Sequence, residues 1–173
     1  MENEGLALIR SRRAVRSYRP DAVPEDLMAA VLEAGTWAPT GGGRQSPVIV
    51  AVTQPENRKA VSELNAEIMG SHGDPYYGAP VIVLVLAEQD AATCVEDRSC
   101  VLENMMLAAA AVGLGSVWVH REKEMFCSAK GKALLRAWGL PETLRGIGGM
   151  ALGYPAGPAA KPAPRKEGYV VRV

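Results

Sequence analysis

Met105–Val119 reads MMLAAAAVGLGSVWV, 15 uncharged residues in which helical patterning gives way to a β-branched run across Gly113 and Gly115. A bilayer crossing takes about 20 apolar residues, so this stretch is too short to span one. Its first part completes a helix predicted over Asp97–Val112, apolar all round from Met105 onward and therefore enclosed by protein. Gly113 can end that helix in the left-handed conformation. Within it, the small residues of Ala108–Ala111 let another backbone approach closely. Ser116–Val119 then reads as a strand. An enclosed helix that passes directly into a strand argues for an α/β or α+β sandwich.

The alternation extends in both directions. Val48–Val52 and Val81–Ala87 are continuous β-branched runs that read as fully buried strands, and Ile147–Leu152 is a glycine-rich fourth. Helices are predicted at Glu4–Arg10, Asn57–Met69 and Glu124–Trp138. Another opens at Val23-Pro24, with Pro24 in its first position and Glu25 and Asp26 in its first turn, and stops at Pro39. Pro155, Pro158, Pro162 and Pro164 make Tyr154–Arg165 an extended arm, because proline lacks a ladder donor and blocks helix. Tyr169–Val173 reads as one more short strand. Such an arm must reach a distant sheet edge, and a homodimer with exchanged C-terminal arms is the expected solution.

At 173 residues the chain fits one domain, 1–173, with 155–173 as its arm. It is 48% hydrophobic, and 19 basic residues balance 19 acidic ones. That composition excludes disorder as the main state and any global pull toward nucleic acid or membrane. Three cysteines without CxxC spacing and only two histidines argue against structural zinc and a disulfide framework. A reduced, cytoplasmic setting is expected. The opening MENEGLAL lacks the basic flank and apolar block of a signal peptide.

Five of the 13 arginines fall within Arg10–Arg19. Arginine forks suit phosphate oxygens, yet a solvated basic face accounts for the cluster equally well. An arginine-rich RNA-binding segment is a third reading, weakened by the neutral overall charge. Thr40–Gln45 is glycine-rich without the P-loop pattern, and Gly146–Gly149 fits a strand passing close to another element. His120, at a strand end, reads first as a structural residue. Asp97 reads as a helix cap with Cys100 in the core, and Glu103 as a helix-surface or interface group. Acid–base machinery is scarce, which leaves binding without chemistry or chemistry carried by an organic cofactor.

Read in order, the motifs resemble the nitroreductase family of FMN-dependent NAD(P)H oxidoreductases. They are Arg12–Tyr18 (RRAVRSY), Trp37–Pro47 (WAPTGGGRQSP), Gly78–Val83 (GAPVIV), Asn104–Val119, and Leu152–Pro155 followed by Arg165. The resemblance implies an α+β sandwich, a mixed central sheet covered by helices, dimeric with exchanged arms and with FMN at the subunit interface. It implies FMN contacts from Arg12, Arg13, Ala14 and Arg16, with Arg165 also near the phosphate. Pro39, Thr40 and Gly41 would touch a ring bound mainly by the other subunit, and His120 and Arg121 would approach the flavin through their backbone. No metal and no side-chain catalyst is implied. The implied reaction passes hydride from NADH or NADPH through FMN to a nitroaromatic, quinone or similar acceptor. A flavin-binding protein that stores or senses its cofactor is the alternative. Ala14 stands where the family usually has serine, and Gly43 and Ser46-Pro47 also depart from the family pattern.

Overall fold

Valine alternates with isoleucine and leucine through Val81–Leu86, so both faces of that strand are apolar and each needs a covering layer. The computed structural model, which describes residues 3–88 and 92–173, supplies both layers. In it β1 (Val48–Val52), β2 (Val81–Glu88), β3 (Gly115–Val119) and β4 (Leu144–Gly153) form one sheet in the order β1-β2-β4-β3. Seven of the eight β2 residues are buried. Side chains alternate across a strand. Ile82, Leu84 and Leu86 therefore pack on one face with Val61, Leu64, Phe126 and Leu135. Val81, Val83 and Val85 pack on the other, with Val31, Leu102, Met105 and Ala109.

The first face is covered by α3 (Pro55–Met69), α5 (Glu122–Cys127) and α6 (Ala129–Ala137), the second by α2 (Glu25–Thr36) and α4 (Cys94–Ala111). A short α1 (Glu4–Ser11) buries no residue; Asn3 caps it, accepting from the Leu6 N–H at 2.9 Å. Among the described residues, no helix is long and apolar enough to cross a membrane.

Several expectations change. The sheet is not mixed in its strand pairing, since all three pairings are antiparallel. β2 and β3 run the same way, but β4 lies between them, so their parallelism never becomes direct pairing. The parallel contact among the described residues is an isolated bridge between Ala14 and Ser116. The helix expected over Glu124–Trp138 is broken at Ser128, which is extended (φ −78°, ψ 159°) and caps α6 by accepting from the Gly131 N–H at 3.1 Å. Pro24 precedes α2 as its cap residue instead of occupying its first position. Helix α4 starts at Cys94, so Asp97 lies inside its first turn, buried, and does not cap it. Tyr169–Val173 pairs with no strand among the described residues of its own chain and is exposed. Nor is α4 enclosed within one chain: Leu107, Ala108 and Ala110 are half-buried and Ala111 is exposed. Gly113 does take the left-handed conformation, at φ +79°.

Candidate active site

After α1 the chain runs along the edge strand β3. Val15 donates its N–H to the Ser116 carbonyl at 3.0 Å, and past the Gly115 end of β3 Arg19 donates its own to the carbonyl of Tyr154, just after β4, at 2.9 Å. Gly115 makes this approach feasible, since a Cβ there would lie 2.7 Å from Val15 Cγ2. Tyr18 pins the segment by donating its hydroxyl to the Val15 carbonyl at 2.7 Å and the Ala151 carbonyl at 3.3 Å. Burial, with Tyr77 nearby, pushes that hydroxyl above its ordinary pKa, so it stays a donor.

Val15 lies against the sheet edge, and its neighbours Ala14 and Arg16 are exposed. Arg12, Arg13, Ala14, Arg16 and Arg165 line one cavity of about 1010 Å³, whose wall also includes Arg10 and Lys161 and, among the described residues, no acidic group. The Arg13 fork is held by the Arg10 and Arg12 carbonyls at 2.6 and 2.7 Å. Arg12 has Glu103 at 3.9 Å, half exposed. Among the described residues, Arg16 has no ion-pair partner. Concentrated cationic charge with so little compensation suits a dianionic phosphate.

From Ser116, beside the arginines, β3 advances about 3.3 Å per residue. His120 therefore lies roughly 13 Å further along. There the chain turns sharply: Arg121 sits at φ +90°, a left-handed conformation that non-glycine residues seldom adopt, and α5 begins. Asn65 on α3 holds this turn by donating its Nδ2–H to the His120 carbonyl at 2.9 Å. Glu122, fully buried, follows. The Tyr76 hydroxyl donates to its Oε1 at 2.8 Å, and Asn65 Nδ2 donates to the Tyr76 oxygen at 3.1 Å. Burial pushes the Glu122 carboxyl up to about 7, against the Tyr76 hydrogen bond, which pulls it down. Burial, with Glu122 as neighbour, likewise raises Tyr76.

The glycines of β4 make room for this group. A Cβ at Gly146 would meet the Glu122 carbonyl at 2.3 Å, and one at Gly149 would meet Glu122 Oε1 at the same distance. On the outer side of the turn, His120 and Arg121 join Trp118, Lys123, Arg145 and Ile147 in the wall of a second cavity of about 910 Å³. Trp118 Nε1 and Arg145 Nε are buried donors with no hydrogen-bond partner among the described residues.

Pro39, Thr40 and Gly41 line neither cavity. They follow α2, where the Gly41 N–H donates to Asp97 Oδ1 at 2.9 Å and Thr93 donates to Asp97 Oδ2 at 3.0 Å. Within one chain, then, the arginines meet Arg165, and His120 and Arg121 lie at the far end of the same strand. The second motif stands apart. The sequence reading did not identify Asn65, Tyr76 or Glu122. The glycines Gly146 and Gly149 were the one trace of them, through the close approach that such residues signal.

Fold and site together define an α+β protein with a cationic cradle and a rigid backbone turn at opposite ends of one edge strand. The family model of the nitroreductases matches residues 9–154, and the chain belongs to that family. A nitroreductase with bound FMN from Bacteroides fragilis is 32% identical and superposes with a TM-score of 0.90, covering 99% of this chain and 100% of that one. A protein of Archaeoglobus fulgidus, provisionally named NADH dehydrogenase/NAD(P)H nitroreductase, is 30% identical over 88% of this chain and 86% of its own length. The FMN reductase (NAD(P)H) of Bacillus subtilis is 24% identical over 92% of this chain and 69% of its own.

Proposed function

We propose that this chain is an FMN-dependent NAD(P)H oxidoreductase whose cofactor lies along β3. The arginine-walled cavity carries the reading. Arg12, Arg13 and Arg16, with Arg165 from the arm, would hold the phosphate. The backbone of His120 and Arg121 would meet the ring, as the donor and acceptor groups of a turn already fixed by Asn65. The chemistry that a bound FMN supplies is two-electron transfer from NADH or NADPH to a nitroaromatic, quinone or similar planar acceptor, in ping-pong order. The chain's part is to fix the binding face and surround it with positive charge.

The functional unit in this reading is a homodimer that takes Pro39, Thr40 and Gly41 to the partner's flavin. Supporting it are the uncovered side of α4 and a 78% exposed Trp37, along with Tyr169, Val170 and Val171, each more than 70% exposed. An anaerobic experiment tests the activity: NADH or NADPH should bleach the bound flavin, and a quinone added afterwards should restore its colour. A flavin that neither nucleotide bleaches would count against the enzyme and favour a storage or sensing role.

A further inference from the structure

Among the described residues, Glu122 is a fully buried carboxylate without a cationic partner, and one of its oxygens, Oε2, has no hydrogen-bond partner there. Such a group is costly and would ordinarily be replaced by an apolar side chain. Its position is what sets it apart, directly after the strained Arg121 and at one end of a hydrogen-bonded chain. That chain runs from Glu122 Oε1 through the Tyr76 hydroxyl and Asn65 Nδ2 to the His120 carbonyl. We propose that Glu122 is a positioning residue whose protonation state, relayed through Tyr76 and Asn65 to the His120 carbonyl, sets the redox behaviour of the bound flavin. The proposal rests on the reading that the ring meets the His120–Arg121 backbone.

The surroundings isolate this carboxyl well. Tyr76, from the segment before β2, and Glu124, on its own helix, are the ionisable groups that act on it, and Asp74 acts in turn on Tyr76. Helix α3 presents the neutral Asn65, and β4 presents only the backbone of Gly146 and Gly149. The carboxyl titrates near neutrality, where the site would work. Ionised, Glu122 accepts the Tyr76 hydroxyl strongly and keeps it turned away from competing partners. Protonated, it accepts less well and gains an O–H of its own, which frees Tyr76 and loosens the hold on Asn65.

Coupling is reciprocal. If protonation of Glu122 alters flavin reduction, then reduction alters the affinity of Glu122 for a proton. As negative charge builds beyond the turn, Glu122 takes up one proton from solvent, while the two electrons arrive with the nicotinamide hydride. No other bond in the chain forms or breaks.

The test is the midpoint potential of the FMN-loaded protein, measured between about pH 5 and 9, the range that brackets this titration. Wild-type protein should show a change of slope near neutrality, marking the extra proton taken up. Glu122→Gln should retain FMN and lose that change of slope. Tyr76→Phe removes the largest of the hydrogen bonds that lower the Glu122 pKa, so it should move the change of slope to higher pH. Identical pH dependence in wild type and Glu122→Gln, both carrying FMN, overturns the proposal alone. An unmoved slope change in Tyr76→Phe also overturns it. A wild-type protein that takes up no FMN overturns the flavin reading along with it.

Discussion

The buried Glu122 makes a prediction about stability that needs no cofactor chemistry. Its carboxyl titrates near 7 in the folded chain instead of at the ordinary 4.5. Between those two values the folded state holds a proton that the unfolded state has released. Stability therefore falls as pH rises through this window, being fully present below pH 4.5 and lost above pH 7. At 1.36 kcal/mol per pH unit, the loss comes to about 3 kcal/mol. Glutamine keeps the shape and has no proton to release. Urea unfolding of wild type and Glu122→Gln, at matched protein and FMN concentrations, isolates the effect because every other titrating group cancels in the difference. The wild-type curve should drop relative to the variant by about 3 kcal/mol across the window, and most steeply near its middle, at about pH 5.7. Curves that stay parallel would refute the reasoning. Asp74 does not confuse the result. Burial raises it, but hydrogen bonds from Ser62, Tyr76 and Gly78, with Arg58 nearby, leave it below its ordinary value. Its contribution is lost only in acid, on the far side of the window.

Other consequences follow from particular contacts. Arg16→Ala should weaken FMN binding by 10- to 100-fold, as expected when a charge-assisted hydrogen bond of about 1.5–3 kcal/mol is lost. Fluorescence titration measures it, and unchanged affinity would remove Arg16 from the phosphate site. Gly131→Ala would drive a Cβ to within 1.9 Å of the Met125 carbonyl oxygen and force α5 from α6. A loss of at least about 1–3 kcal/mol is expected, read as a lower urea midpoint, because overpacking of this kind has no soft side chain to yield. Sedimentation at micromolar concentration should find a dimer, and removal of the arm at Pro155–Val173 should weaken it; a monomeric full-length chain would contradict arm exchange.

Features with a strong local cause were legible in the sequence. Strand β2 was plain because both of its faces are buried, and Gly113 marked the end of α4 through the left-handed turn that only glycine adopts easily. The arginine segment stood out as charge, although its meaning needed the fold, which brings Arg165 from 149 residues after Arg16 to the same cavity. Other features depend on packing that no local pattern carries. Ser128 looks like an ordinary helix residue until Gly131 is seen pressed on Met125. Asp97 looked like a cap because an acidic residue near a helix start usually is one; here it turns inward to hold Gly41. Glu122 reads as one more charge on a surface helix, and only the glycines opposite it, Gly146 and Gly149, 24 and 27 residues further along the chain, reveal that it lies inside.

The most direct test of the central claim is the visible absorption spectrum of freshly purified protein, followed by that of the supernatant after heat denaturation. A yellow protein that releases FMN into the supernatant is the predicted result. A colourless protein that also fails to take up added FMN would contradict it, and the arginine cradle would then belong to some other anion, with RNA the first to be tried.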